Sequence, residues 1–238
     1  MPIAAPVLLI PGLMCDARLF QHQISHLSRN RAVHVVLPIH GNTIEEMSQA
    51  VLETAPTRFA IVGFGLGAQV ALDVIRRDMA RVSKLVLISA DPLGETPKAS
   101  AARDKRMILA LTGRLAQAMA EEIPAAALAD PVARDAALDL IEDMVLALGP
   151  EVYVRQCRAL QRRRDQQKTL LRITVPALIL AGALDPLVPV RRQSFMADLM
   201  ASARVQVIEG AGHVVPIEKP QALSQALELF LAGPLVLR

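Results

Sequence analysis

The stretch from Phe59 to Leu72 constrains this chain more than any other. Phe59-Ala60-Ile61-Val62 is a short apolar run that suits a buried strand. From Leu66 the apolar side chains recur at helical spacing, at Leu66, Val70 and Val74 and again at Leu72, Ile75 and Met79. Between strand and helix, Gly63, Gly65 and Gly67 stand at alternate positions. A strand that turns directly into a helix tolerates little side-chain bulk, and Gly63 and Gly67 permit the close approach. Three readings of the turn compete. It is a glycine-rich phosphate cradle, a turn that only packs a helix on a strand, or a turn whose apex, Gly65, stands where a nucleophile would be. The first fits poorly. The dinucleotide fingerprint needs G-x-G-x-x-G, whereas residue 68 is alanine, and no Lys-Ser/Thr follows to make a P-loop.

The flanking chain supplies the context. Val7-Leu8-Leu9-Ile10 is a continuous apolar run, as expected of a strand covered on both faces. Asp16 caps a helix expected over Ala17–Leu27. A second strand is expected over Val33–Leu37. Thr43 and Glu46 form a capping box ahead of Ile44, Met47, Val51 and Leu52. Lys84–Ser89 reads as a fourth strand. Strands and helices alternating this regularly imply a doubly wound, mostly parallel α/β sheet. From Pro92 to Ile173 no strand signal appears. Helices are expected over Arg103–Ala120, Asp130–Leu148 and Glu151–Gln167. The sheet resumes at Pro176–Ala181, and Val190–Met200 is helical. Arg204–Ile208 is the last strand and Pro220–Leu231 the closing helix. The organisation expected is a core over 1–91 and 174–238 with a helical insertion over 92–173.

Length and composition agree with one domain carrying an insertion. The chain has 238 residues, 53% of them hydrophobic and 3% aromatic, so its core is aliphatic. The net charge of +3 is spread along the chain and gives no nucleic-acid footprint. No run is long enough for a membrane span. Val7–Ile10 is too short for a signal core. The two cysteines, Cys15 and Cys157, sit in unrelated stretches and read as free thiols. The expectation is a cytoplasmic monomer or homodimer acting on a small molecule, without nucleic acid or membrane as partner.

Two further loops carry chemistry. Gly182-Ala183-Leu184-Asp185-Pro186 follows one late strand, and Gly210-Ala211-Gly212-His213 follows the next. Ligands in open α/β sheets bind at the carboxyl ends of strands. An apex residue, then an acid, then a histidine is the chain order of one known class of triad, in which the acid orients the imidazole. Singly, Asp185 is also a common turn residue before proline, and His213 a loop histidine packed for shape.

On these residues the chain resembles the α/β-hydrolase superfamily, in particular its small cap-bearing esterase- and lyase-like members. The frame Gly63-x-Gly65-x-Gly67 is similar to the family's nucleophile elbow, G-x-S-x-G, with Gly65 in the nucleophile's place. Pro11-Gly12-Leu13 resembles its oxyanion loop, which implies that the backbone N–H groups of Leu13 and Leu66 form the oxyanion hole. Asp185 and His213 fall on its acid and histidine loops, and Pro92–Ile173 on its helical cap. The start at Val7 leaves out the family's first two strands, so about six strands are expected.

Gly65 leaves three functions open. In the first, the natural protein carries Ser at 65 and hydrolyses an ester, thioester or related acyl compound, and this chain is an inactive variant. In the second, Gly65 is natural and the His213–Asp185 dyad serves as a general base for non-covalent hydrolysis, carbon–carbon cleavage or elimination. In the third, the chain binds a ligand without catalysis. None needs a cofactor, and the five histidines offer no metal-ligand spacing. Cys15 lies near the oxyanion loop, but no basic residue adjoins it in sequence, so it reads as structural. The substrate-binding candidates are Met14, His40, Tyr153, Gln156, Arg155 and Arg158. Arg155, Arg158 and Arg162 share one helix face. That face suits a carboxylate or phosphate if it looks into the pocket, and is otherwise a solvated basic face. The cap's Leu, Met and Ala content predicts a mainly apolar cavity.

Overall fold

In the computed structural model, residues 5–233 are described. The expected outer bounds of the core, at residues 1 and 238, lie outside them. Strands β1 (Val7–Ile10), β2 (Val33–Val35), β3 (Phe59–Phe64), β4 (Val82–Ile88), β5 (Ala177–Gly182) and β6 (Ala203–Ile208) form one sheet in the order β2-β1-β3-β4-β5-β6. Every pairing is parallel. β1, β3, β4 and β5 are buried along their whole length, as helix-covered central strands must be. The edge strands β2 and β6 are partly exposed.

The strict two-residue period of the strands divides the core in two. Val7, Leu9, Val62 and Val86 face one side, Leu8, Ile10, Ile61 and Leu85 the other. On the first side pack α1 (Gln21–Leu27) and α10 (Pro220–Ala232), and on the second α2 (Ile44–Thr54), α3 (Leu66–Asp78) and α8 (Val190–Asp198). The short α9 (Val215–Glu218) leads into α10. Between β4 and β5 lie the cap helices α4 (Pro97–Leu111), α5 (Leu115–Glu122), α6 (Arg134–Gln161) and α7 (Gln167–Leu170). No helix among the described residues is long and apolar enough to cross a membrane.

Several elements differ from the sequence expectation for local reasons. β2 stops at Val35, and Leu37 already accepts a tight turn from the Ile39 N–H before the chain passes Pro38. The segment expected as one helix over Arg103–Ala120 is two. It begins at Pro97, where the Thr96 hydroxyl accepts the Ala99 N–H at 3.2 Å, and breaks at Gly113 with φ +82°. The two helices expected on either side of residues 149–150 run on as α6, bent at Gly149 (φ 79°, ψ 168°) ahead of Pro150. Thr43 caps α2 as read, but the Glu46 carboxylate reaches back to the Asn42 N–H at 2.6 Å, one residue earlier than a standard box.

The strand order places the site. Following the chain, β2 lies on one side of β1 and β3 on the other, so the order reverses at the β1/β3 pair. Crevices open at the carboxyl ends of strands at such a switch point. The loops leaving β1 and β3 there are Pro11–Leu13 and the Gly65 turn.

Candidate active site

Gly65 is the N-cap of α3 with φ 53° and ψ −111°, a backbone conformation that L side chains rarely adopt. The turn needs its flanking glycines for a different reason. A Cβ on Gly63 would lie 2.4 Å from the Gly67 carbonyl oxygen, and one on Gly67 would lie 2.0 Å from that of Ile10. Gly12 is tight as well, its Cβ position 2.7 Å from the Phe64 ring. Gly65 is the exception. A Cβ there meets nothing nearer than Gly12 Cα at 4.0 Å. The turn is therefore packed shut on both sides of its apex and open at it.

Leu13 and Leu66 border the same cavity as Gly65. Leu66 is the first residue of α3, where N–H groups lack intrahelical acceptors. Neither its N–H nor that of Leu13 meets an acceptor among the described residues. The next residue, Met14, has φ 53°, and its N–H donates to Gln156 Oε1 at 2.8 Å. That bond holds the loop from the cap side.

The loops after β5 and β6 bring Asp185 and His213 into contact. His213 Nδ1 lies 2.9 Å from Asp185 Oδ2. The other Asp185 oxygen accepts the N–H groups of Leu187 at 2.8 Å and Val188 at 3.0 Å, so the carboxylate is fixed in its own loop. The imidazole packs against the Phe64 ring, with centroids 5.4 Å apart. His213 also lines the cavity that Gly65 borders, which has a volume of about 420 Å³.

Two residues that sequence reasoning missed hold the histidine loop. The buried carboxylate of Glu218 accepts the N–H groups of Gly212 and Val214 at 2.9 Å each, and that of Ala129 from the cap at 2.6 Å. Ser89, at the end of β4, has φ 48° and donates its hydroxyl to the His213 carbonyl at 2.7 Å. Glu218 stands five residues after His213 and could have been found as the acid of that loop. Ser89 gave no signal beyond closing a strand.

The substrate-binding candidates do not gather at the cavity. Met14, Tyr153 and Gln156 are fully buried and are not among its lining. Gln156 ties Met14 to Pro38, donating to the Pro38 carbonyl at 3.0 Å. Arg155 donates to the Ile39 carbonyl at 3.0 Å, and Arg158 and His40 are exposed away from it. Arg162 is also exposed, so the face it shares with Arg158 is the solvated one. The cavity is lined by apolar side chains, among them Leu13, Phe64 and Leu187, and by charged side chains of the cap, among them Arg103, Arg106 and Glu122. Cys15 is buried, its thiol pushed up to about 12 by desolvation and the Asp16 charge, so it is no thiolate at neutral pH. Among the described residues no group of three His, Cys, Asp or Glu side chains is placed to hold a metal ion.

Known proteins share this arrangement of elements. A pimeloyl-(acyl-carrier protein) methyl ester esterase from Aromatoleum aromaticum is 29% identical over 213 residues, covering 84% of each chain. Among solved structures, the enol-lactonase from Burkholderia xenovorans superposes with a TM-score of 0.86 at 22% identity, over 97% of this chain and 92% of that one. A thermophilic esterase from Thermogutta terrifontis gives 0.85 at 22% identity, over 95% and 89%. The sequence pattern of the Alpha/beta hydrolase family matches residues 7–226, and with that match over the sheet, the Gly65 turn, Asp185 and His213, this chain belongs to the Alpha/beta hydrolase family.

Proposed function

We propose that the cavity is an acyl-ester hydrolysis site of the nucleophile–His–Asp kind, with position 65 as the nucleophile's place. One observation carries this reading. Gly65 holds the positive-φ backbone of an elbow, in the cavity that His213 lines, with open space where its Cβ would stand. A serine at 65 would place its Oγ in that space. His213 would take the hydroxyl proton as Oγ attacks the acyl carbon, then return it to the departing alcohol, and water would release the acyl group. Asp185 keeps the proton on Nδ1, leaving Nε2 as the base. The N–H groups of Leu13 and Leu66 would receive the developing oxyanion. The names of the relatives, an ester esterase and an enol-lactonase, point to the same class of acyl–oxygen bond.

With glycine at 65 the covalent step is absent from this chain. A second reading is favoured by the condition of the dyad itself. Asp185 is fully hydrogen-bonded and His213 is held in register although no nucleophile stands at 65. On that reading His213 removes a proton directly from water or from the substrate.

A paired assay separates the two. This chain and its Gly65→Ser variant are compared on short activated acyl esters, each with a His213→Ala control. The first reading expects a burst and a rate gain of about 10³-fold or more in the serine variant, lost with His213. No gain on introducing serine overturns it. A His213-dependent rate in the unaltered chain supports the second.

A further inference from the structure

The loop that offers the Leu13 N–H is bent in a way its own residues do not favour. The Cys15 N–H donates to the Gly12 carbonyl at 3.2 Å, closing a β-turn with Leu13 and Met14 at its centre. Met14 has φ +53°, while Leu13 does not lie in the positive-φ region. A β-turn with positive φ at its third residue alone is of type II, which calls for glycine or asparagine there. Methionine favours the type I form, in which the Leu13–Met14 peptide plane is turned over by about half a circle. A strained residue persists only where its surroundings over-determine it.

Here the surroundings are the cap. The Met14 N–H donates to Gln156 Oε1 at 2.8 Å, and Gln156 Nε2 donates to the Pro38 carbonyl at 3.0 Å. Both residues are fully buried. A carbonyl only accepts, so the bond to Pro38 decides which end of the amide faces Met14. Turning the Leu13–Met14 peptide over would withdraw the N–H and present the Leu13 carbonyl. Two acceptors would then stand face to face in a buried place. The other half of α6, before the bend at Gly149, grips the same loop. The Asp16 N–H reaches Met144 Sδ at 3.4 Å, and Arg18 Nη2 donates to the Asp143 carbonyl at 3.1 Å.

We propose that Gln156 is a positioning residue for ester hydrolysis, holding through Met14 the turn that aims the Leu13 N–H at the oxyanion, so that the cap completes the oxyanion hole of the core. This inference rests on the acyl-ester reading of the same cavity. Leu13 lines that cavity, and its carbonyl belongs to the peptide that Gln156 holds. When that peptide turns over, Leu13 loses the bond that ties it to the cap, and its N–H loses its fixed place in the wall. Gln156 touches no reacting atom. Its effect falls on the transition state, because the Leu13 N–H is called on only as the carbonyl oxygen becomes an oxyanion.

The test uses the Gly65→Ser chain and 4-nitrophenyl butyrate. Adding Gln156→Met, which keeps the length of the side chain and removes both hydrogen bonds, should lower kcat about 10²-fold with KM changed by less than about twofold. 1,1,1-Trifluoropentan-2-one, whose adduct with the serine places an oxyanion in the hole, should lose affinity by the same factor as kcat/KM. Butyramide, a neutral analogue of the ground state, should bind as before. Gln156→Glu, which keeps an acceptor for Met14, should recover part of the loss. Circular dichroism checks that each variant folds, and a crystal structure of the Gln156→Met chain should show Met14 at negative φ. An unchanged kcat in the Gln156→Met chain overturns the inference and leaves the acyl site standing. So does a loss of affinity for the ketone no greater than that for butyramide, which would mark a general loosening of the cap. If Gly65→Ser itself shows no turnover, the acyl-ester reading falls and this inference with it.

Discussion

At Gly65 backbone geometry and chemistry separate. Gly63 and Gly67 are required by contact, since their Cβ positions fall on backbone carbonyls at 2.4 and 2.0 Å. Gly65 is favoured only by its φ of 53°. The two kinds of glycine should respond differently to the same methyl group. Gly65→Ala should lower unfolding free energy by about 1–3 kcal/mol, the cost of a strained backbone alone. Gly67→Ala must push α3 off β1 and should cost more than about 4 kcal/mol or prevent folding. Urea denaturation of the two variants checks this, and equal losses would show that the apex is not open. The Gly65→Ser enzyme inherits the first cost, so it should be less stable than the glycine chain while being the better catalyst. At this scale much was legible. Gly65, Asp185 and His213 could be placed from chain order because each lies shortly after the end of a strand. Ser89 could not, because its role depends on a carbonyl 124 residues away.

Among the elements, the histidine loop is held by a clasp rather than by its own turn. Glu218 lies in α9 and accepts three N–H groups, two flanking His213 and one from Ala129 of the cap connector. Glutamine keeps the shape but exchanges one acceptor oxygen for a donor. Glu218→Gln should cost about 1–3 kcal/mol in stability. In the Gly65→Ser background it should lower kcat with KM little changed, because His213 loses its position while the rest of the cavity wall is untouched. Steady-state kinetics at several substrate concentrations tests it, and a change confined to KM would count against a positioning role. The cap was the least legible layer. Arg103 and Arg106 stand at i, i+3 just as Arg155 and Arg158 do. Periodicity cannot say which pair turns inward. That is decided by the break at Gly113 and the bend at Gly149, which set how α4, α5 and α6 pack together. The break at Gly113 lies inside what reads as continuous helix, and the Thr96-Pro97 start lies ahead of it.

For the whole molecule, the parallel pairing follows from the alternation of strand and helix signals, and the six strands are those the apolar runs mark, whereas their order in the sheet comes from the structure. What the runs do not reveal is how the helices on one face are joined to each other. Asp73 of α3 does this on the α2 side. Its carboxylate is 1% exposed, accepts the Ser48 hydroxyl of α2, and pairs with Arg76 and Arg77 at 2.7 Å each. Arg77 in turn donates to the Glu45 carbonyl at 3.1 Å. Burial pushes the Asp73 carboxyl up, but hydrogen bonds from Arg76, Ser48 and Arg77 outweigh it and hold it below the usual carboxylate range. The unfolded chain therefore binds this proton more readily than the folded one. The stabilisation is complete above the unfolded value of about 4 and is lost as pH falls through that value toward the lowered folded one. Asp73→Asn should remove about 2 kcal/mol at pH 7, on the scale of hydrogen bonds to a charged group. It should also flatten the acid limb, so that the variant and the parent converge in stability as pH falls below about 4. Urea midpoints measured from pH 7 down to pH 3 decide it. A constant gap across that range would mean that Asp73 acts by shape and not by charge.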